Sequence, residues 1–187
     1  DNNAFFFYDG AMSVLQPKID DGTLVVKSGQ TDIAQTATQG WKAENAQSRM
    51  DSLMTANYAD GSIDGVLSPN DTLARAIITS VKAAGKDIAT FTVTGQDSEV
   101  ESVKSIMAGE QYSTINKDTS LLVAQTIKMI QQLQKGEEVD VNDTEQYDNG
   151  VKVVPAYLLD PVIVTKENAA EAYANNPTLL DIVKAAQ

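Results

Sequence analysis

Helical and strand-like segments alternate along this chain, and this alternation constrains the possible fold more than any other feature of the sequence. Apolar residues recur at helical spacing in five segments, at 5–19, 43–54, 73–84, 100–107 and 122–133. Short runs rich in β-branched residues lie between them: GTLVVKSG, DGVLSP, IATFTVTG and YSTIN. Strand and helix therefore alternate about four times, which predicts an α/β fold: a three-layer αβα sandwich around a mostly parallel sheet.

Polar residues follow three of the predicted strands. Asn70 comes after GVLSP, Gln96 and Asp97 come after FTVTG, and Asn116 and Lys117 come after YSTI. Because ligands of doubly wound sheets bind just outside the carboxyl ends of the strands, these residues are candidates for a binding site. A second interpretation is that Asn70, Asp71 and Asp97 only cap helices, and the pattern alone leaves both interpretations open.

The composition excludes several classes of protein. The 187 residues include no cysteine and no histidine, which rules out thiol nucleophiles, Cys/His zinc sites and serine-histidine triads. The net charge of −12 would repel a phosphate backbone, so nucleic acid is not an expected partner. Apolar runs of about five residues are far shorter than the roughly 20 that a membrane-spanning helix needs.

The sequence after residue 135 differs from the rest. The segment GEEVDVNDTEQYDNG is acidic, turn-rich and without helical periodicity, which indicates a surface crossing. Two strand signals follow, VKVVPAYLL and DPVIVT, and then a final helix containing Leu179, Leu180, Ile182 and Val183.

The motifs also carry a family resemblance. In order, DNNA, GW with ENA, SPND, TGQD, STINKD and NDTEQYDNGVKVVPAYLLDPVIVTKEN resemble the carboxyl-terminal half of the xylose-binding and multiple-sugar-binding proteins. These are type I periplasmic substrate-binding proteins of sugar ABC transporters. The resemblance spans nearly the whole chain.

The resemblance implies a domain organisation. Proteins of this family have two similar α/β lobes joined by three hinge strands, and they trap a monosaccharide as the lobes close. Residues 1–118 and 161–187 would form the carboxyl-terminal sugar-binding lobe without its first strand. Residues 119–160 would belong to the amino-terminal lobe and the hinge crossings.

The resemblance also implies a set of ligand-binding residues, which are Asp1, Asn3, Trp41, Asn70, Asp97 and Lys117. Carboxylates and amides suit adjacent sugar hydroxyls, and an indole face suits the apolar side of a pyranose ring. A single tryptophan is otherwise a common core residue, so Trp41 has a structural interpretation as well.

The function implied is that of an extracytoplasmic solute-binding protein, either periplasmic or lipid-anchored at the cell surface. It would deliver a monosaccharide of the xylose, glucose, galactose or arabinose type to an ABC transporter permease. A chemoreceptor or sensor kinase is a further partner of such proteins. No catalytic residue, metal or cofactor is expected. Two alternatives remain: a sugar-sensing effector domain of a transcriptional regulator, and a carbohydrate-active enzyme using two carboxylates such as Asp71 and Asp97.

The segment on its own is expected to be incomplete. The chain opens on DNNAFFFYDG without a methionine, and a central strand would be absent from the sheet. Unpaired strand edges and the apolar face of the 122–133 helix would then require a partner. We expect these residues to associate with further sequence upstream or with a second copy.

Overall fold

The structure is a computed structural model and describes residues 1–59 and 63–187. The α-helices in the described part are α1 (Asn2–Asp20), α2 (Ile33–Thr36), α3 (Ala43–Asn57), α4 (Asp71–Ala83), α5 (Val100–Ala108), α6 (Thr119–Lys135), α7 (Ala169–Ala172) and α8 (Pro177–Ala185). The strands there are β1 (Gly65–Val66), β2 (Thr92–Val93), β3 (Thr114–Asn116) and β4 (Val162–Val164). No helix in these ranges is long and apolar enough to cross a membrane.

The helix boundaries follow from local capping chemistry. The Asn70 side chain accepts a hydrogen bond from the Leu73 N–H at 2.9 Å and so caps α4. Asp118 caps α6 in the same way, and Gly136, with φ of 70°, ends that helix in the left-handed conformation. All five helices that the sequence pattern predicts at 5–19, 43–54, 73–84, 100–107 and 122–133 are present as α1, α3, α4, α5 and α6.

The strands are short and form two pairs. β1 and β2 are parallel, with Gly65 opposite Thr92 and Val66 opposite Val93. β3 pairs with β4 in a second two-stranded sheet. The strand predicted at 88–95 is present in its second part as β2, whereas its first three residues, Ile88–Thr90, form a 3-10 turn. The Asp87 side chain caps this turn by accepting from the Ala89 N–H.

Two predicted strands are wrong. The run at 22–29 forms turns and pairs with no strand in the described residues. Val25, in the middle of this run, is 73% exposed. The segment VKVVPAYLL makes only isolated antiparallel bridges, Asp148 to Val153 and Asp143 to Ala156. An extended run becomes a strand only where a neighbouring strand supplies hydrogen-bond partners, and β-branched composition does not reveal that partner.

Two clusters of buried apolar side chains form the core. The first lies around α3, α4 and β2 and includes Met50, Met54, Leu73, Val81 and Val93. The second joins α5, β4, α7 and α8, through the residues Val103, Met107, Val164, Tyr173, Leu179 and Val183. The residues of both clusters come from positions 46–107 and 164–183.

The chain divides into two compact units. Unit 1 comprises residues 1–115 and 164–187, and unit 2 comprises residues 116–163. In unit 2, α6 has no buried residue, and Leu133 at its end is 65% exposed. The assignment of 1–118 with 161–187 to a carboxyl-terminal lobe, and of 119–160 to an amino-terminal lobe and its hinges, stays a prediction.

Candidate functional site

Asp1 and Trp41, which are 40 residues apart in sequence, are joined by a hydrogen bond. The indole Nε1–H of Trp41 donates to Asp1 Oδ2 at 3.0 Å. The other carboxylate oxygen, Oδ1, accepts from the Asn3 N–H at 2.8 Å and caps α1. The amino-terminal end of α1 and the turn before α3 are thereby held together, and two predicted ligand-binding residues lie side by side.

Trp41 has a structural role as well as a predicted binding role. It lies at the end of the 3-10 turn Gln39–Trp41, with φ of 55°, and is half-buried. Its ring meets Phe7 edge to face, with centroids 6.2 Å apart, and it packs against the first core cluster. The core interpretation of this single tryptophan is therefore correct in part.

Asn70 combines a capping role with a position at a strand end. Its Oδ1 accepts from the Leu73 N–H, so the helix-cap interpretation is correct for this residue, and the cap does not use the Nδ2 group. The main chain beside it is tied to the next loop, because the Asp71 N–H donates to Gln96 O at 2.9 Å and Gln96 Nε2 donates to Pro69 O at 2.8 Å. The loops that carry Asn70 and Asp97 are therefore adjacent.

Asp97 lies on a turn with an unusual backbone. Its φ is 96° and that of Ser98 is 52°, a region that residues other than glycine seldom adopt. The Asp97 side chain is exposed, while Ser98 is buried. Asp97 does not cap α5, since the N-cap of that helix is Glu99. The capping interpretation is therefore wrong for Asp97.

Asn3 and Lys117 are both exposed. Asn3 follows Asp1 in the first turn of α1, and Lys117 follows β3 in unit 2, beyond the boundary of unit 1. The structure brings Asp1 close to Trp41 and the Asn70 loop close to the Asp97 loop. The convergence of all six residues on one ligand stays a prediction.

Asp71, beside Asn70, is a fully buried carboxylate, which the sequence analysis considers as a helix cap and as one of two catalytic carboxylates. Its Oδ2 accepts from the Glu99 N–H and from Thr114 Oγ1, each at 2.9 Å, and its Oδ1 accepts from Gln111 Nε2 at 2.8 Å. Burial raises the pKa of the Asp71 carboxyl, and the hydrogen bonds from Glu99, Gln111 and Thr114 oppose that rise. An exposed pair of catalytic carboxylates, Asp71 with Asp97, is therefore excluded in this conformation.

Gly95 makes room for this buried carboxylate. A Cβ at position 95 would overlap Asp71 Oδ1 and would lie 2.6 Å from Gln111 Nε2. Only a residue without a side chain allows the main chain before Asp97 to pass this close to the Asp71–Gln111 hydrogen bond. The glycine of the TGQD motif is thus a packing requirement.

Tyr173, at the end of α7, supports the same turn from the core. Its hydroxyl donates to Ser98 Oγ at 2.9 Å, and its side chain is fully buried. Burial raises the pKa of Tyr173 to about 12.

This raised pKa predicts a loss of stability in alkali. Because the unfolded phenol ionises near pH 10, its usual value, and the folded one near 12, stability should be intact below pH 10 and should fall as the pH rises toward 12, by about 2 kcal/mol. Urea unfolding at a series of pH values measures this fall. The Tyr173→Phe variant should lack this part of the pH dependence, and an identical dependence in both proteins would contradict the assignment.

Neither a metal cluster nor the surface depression between α5 and α8 coincides with these residues. In residues 1–59 and 63–187, no group of three or more acidic side chains is arranged to hold a metal ion. A surface depression of about 390 Å³ lies between α5 and α8, lined by Lys104, Met107, Ala108, Ile182, Ala185 and Ala186. It contains none of the six predicted ligand-binding residues.

Comparison with known proteins identifies the relatives of this chain. The family model described as a periplasmic binding protein domain matches residues 1–138. The multiple sugar-binding periplasmic receptor ChvE of Rhizobium radiobacter is 56% identical over 171 residues, covering 90% of this chain and 48% of the receptor. The D-xylose-binding periplasmic protein of Escherichia coli K12 is 35% identical over 168 residues, covering 90% and 48% of the two proteins. The chain spans about half the length of the curated relatives it matches.

Solved structures agree with this relationship. An ABC transporter solute-binding protein from Clostridium phytofermentans with bound β-D-glucose has 42% identity and a TM-score of 0.85, covering 96% of this chain and 57% of its own. A carbohydrate transporter solute-binding protein from Chloroflexus aurantiacus in complex with D-glucose has 36% identity and a TM-score of 0.82, covering 95% and 56%.

The α/β fold class and the family resemblance predicted from the sequence motifs are thereby confirmed. The likeness extends over nearly all of the chain, 96% of it for the structure from Clostridium phytofermentans. This chain belongs to the periplasmic binding protein domain family, among the type I sugar-binding proteins.

Proposed function

We propose that the complete protein containing this chain is an extracytoplasmic solute-binding protein that captures a monosaccharide and delivers it to the permease of an ABC transporter. The observation that carries the proposal is the 42% identical solute-binding protein that holds β-D-glucose and matches 96% of this chain. The names of the relatives support a periplasmic location. A lipid anchor, and a chemoreceptor or sensor kinase as partner, are finer parts of the same proposal.

The chemistry of the predicted site suits a pyranose. Asp1 and Asp97 offer carboxylate acceptors to pairs of hydroxyls, and the Asn70 amide and the Lys117 ammonium offer donors. The indole of Trp41 would cover the apolar face of the ring. Asp1 already accepts from the Trp41 indole, so the relative positions of these two groups are set before a sugar binds.

The proposal assigns the two compact units to two lobes. Unit 1 would be the carboxyl-terminal lobe, and unit 2 would contribute α6 to the amino-terminal lobe. The apolar side chains of α6 support this assignment, because Leu121, Ile127 and Leu133 are each 50% exposed or more, and an exposed apolar face of this kind favours a partner surface.

Trp41→Ala is expected to weaken monosaccharide binding about tenfold, because the apolar face of the sugar ring loses its aromatic partner. Calorimetric titration of the complete protein measures the change. Trp41→Phe keeps an aromatic ring but loses the bond to Asp1, so it should lie between the alanine variant and the wild type. Equal affinities in all three proteins would remove Trp41 from the site.

Incubation with disaccharides and with free monosaccharides separates this function from an enzymatic one. We expect binding of a monosaccharide and no turnover of any disaccharide. Release of free sugar from a disaccharide would support a carbohydrate-active enzyme instead.

Sugar uptake by cells that lack the gene distinguishes transport from transcriptional sensing. The proposal predicts loss of uptake that returns when the gene is restored on a plasmid. Unchanged uptake with altered expression of sugar genes would support the effector-domain alternative.

A further inference from the structure

The turn that carries Asp97 is held by three consecutive main-chain N–H groups, each with its own acceptor. The Asp97 N–H donates to Ile115 O at 3.0 Å. The Ser98 N–H donates to Thr114 Oγ1 at 3.1 Å, and the Glu99 N–H donates to Asp71 Oδ2 at 2.9 Å. Two of the three acceptors are buried side chains of other elements, so the turn is held by tertiary contacts and not by its own sequence.

Thr114 and Asp71 form a continuous buried relay beneath this turn. The Thr114 hydroxyl accepts from the Ser98 N–H and donates its own hydrogen to Asp71 Oδ2. Asp71 and Thr114 are both fully buried. These hydrogen-bond directions agree with the chemistry of the two groups, because an ionised carboxylate only accepts hydrogen bonds and a hydroxyl can donate and accept at the same time.

The backbone of the turn needs such a restraint. Asp97 and Ser98 both have positive φ, and conformations of this kind persist only where surrounding contacts determine them. Without the relay, the main chain at 97 and 98 is free to return to more favourable angles, which would turn the exposed Asp97 carboxylate in another direction. The orientation of the Asp97 side chain therefore depends on Asp71 and Thr114, which are too deeply buried to contact a ligand.

We propose that Asp71 and Thr114 are positioning residues for ligand binding, which act by fixing the strained turn so that the Asp97 carboxylate points at the sugar. This inference rests on the proposed function and deepens it. Asn70 and Asp71, the third and fourth residues of the SPND motif, then have different roles. The Asn70 amide is available for a ligand, while Asp71 holds the neighbouring loop that carries Asp97.

Two substitutions at Thr114 separate positioning from packing. Thr114→Val keeps the shape of the side chain and removes the hydroxyl, whereas Thr114→Ser keeps the hydroxyl and removes a buried methyl group. Positioning predicts a Kd for D-glucose raised about tenfold in the valine variant and largely preserved in the serine variant. A packing role predicts the reverse order. Calorimetry of the complete protein, at a temperature where circular dichroism shows every variant folded, gives the comparison.

The same substitution in an Asp97→Ala background tests whether the effect passes through Asp97. We expect Thr114→Val to have little further effect on Kd there, because the group it positions is gone. Amide hydrogen exchange provides a second measurement, in which Ser98 and Glu99 should exchange faster in Thr114→Val than in Thr114→Ser.

The outcomes are distinguishable. If the wild-type protein binds neither D-glucose nor the other candidate monosaccharides, the proposed function is wrong, and so is the positioning role that rests on it. If the wild type binds a sugar, either of two results overturns the positioning role alone. The first is a larger loss of affinity in Thr114→Ser than in Thr114→Val. The second is a loss of affinity from Thr114→Val that is as large in the Asp97→Ala background as in the wild type. The valine-specific loss, absent in the Asp97→Ala background, supports it.

Discussion

Gly95→Ala is expected to lower the free energy of unfolding by about 3 to 5 kcal/mol. The new methyl group would overlap Asp71 Oδ1 and press on Gln111 Nε2, and both are buried groups with little freedom to move. Overpacking of this kind costs roughly 1–3 kcal/mol, and disturbing a hydrogen bond to a charged group costs roughly 1.5–3 kcal/mol more. Urea unfolding of the complete protein measures the loss.

Gly10→Ala is the matched control for this prediction. Gly10 lies within α1, and a Cβ there meets nothing within 4 Å. Because alanine is favoured over glycine in a helix interior by about 1 kcal/mol, the same substitution should here leave stability unchanged or raise it. A similar loss in both variants, or no loss in Gly95→Ala, would contradict the close packing described around Asp71.

Asp97→Ala is expected to weaken monosaccharide binding by at least about 2 kcal/mol, or about 30-fold. A charged acceptor that engages hydroxyls contributes roughly 1.5–3 kcal/mol, and its removal leaves ligand donors without partners. Calorimetric titration of the complete protein gives the Kd.

Two further variants make the Asp97 result specific. Asparagine tolerates positive φ at least as well as aspartate does, so Asp97→Asn should keep the turn while losing part of the affinity. Asp51→Ala removes the same charge from an exposed position on α3, outside the predicted site, and should leave the Kd unchanged. An unchanged Kd in Asp97→Ala would remove Asp97 from the site.

Local patterns were sufficient to predict the longer helices, although not the four-residue helices α2 and α7. α4 and α6 each combine an apolar stripe with a side-chain cap and a glycine just beyond the end, and all of these signals lie within a few neighbouring residues. The strands depend on partners far along the chain. The run around Val25 has strand composition but no neighbouring strand, so its extended tendency is not realised.

The candidate site was predictable in part. The six predicted ligand-binding residues follow from the family resemblance, and strand-end position alone indicates only Asn70, Asp97 and Lys117 among them. The role of Asp71 was not predictable, because its partners Glu99, Gln111 and Thr114 lie 28, 40 and 43 residues away. An aspartate after asparagine at a helix start has the same local pattern whether it is solvated or buried, and only tertiary contacts distinguish the two.

Calorimetric titration with D-glucose, D-xylose, D-galactose and L-arabinose shows whether the complete protein binds a monosaccharide. We expect saturable binding of at least one of these sugars, about one molecule per protein, that is weakened by Asp97→Ala and not by Asp51→Ala. A folded protein that releases no heat of binding with any of the four sugars would contradict it.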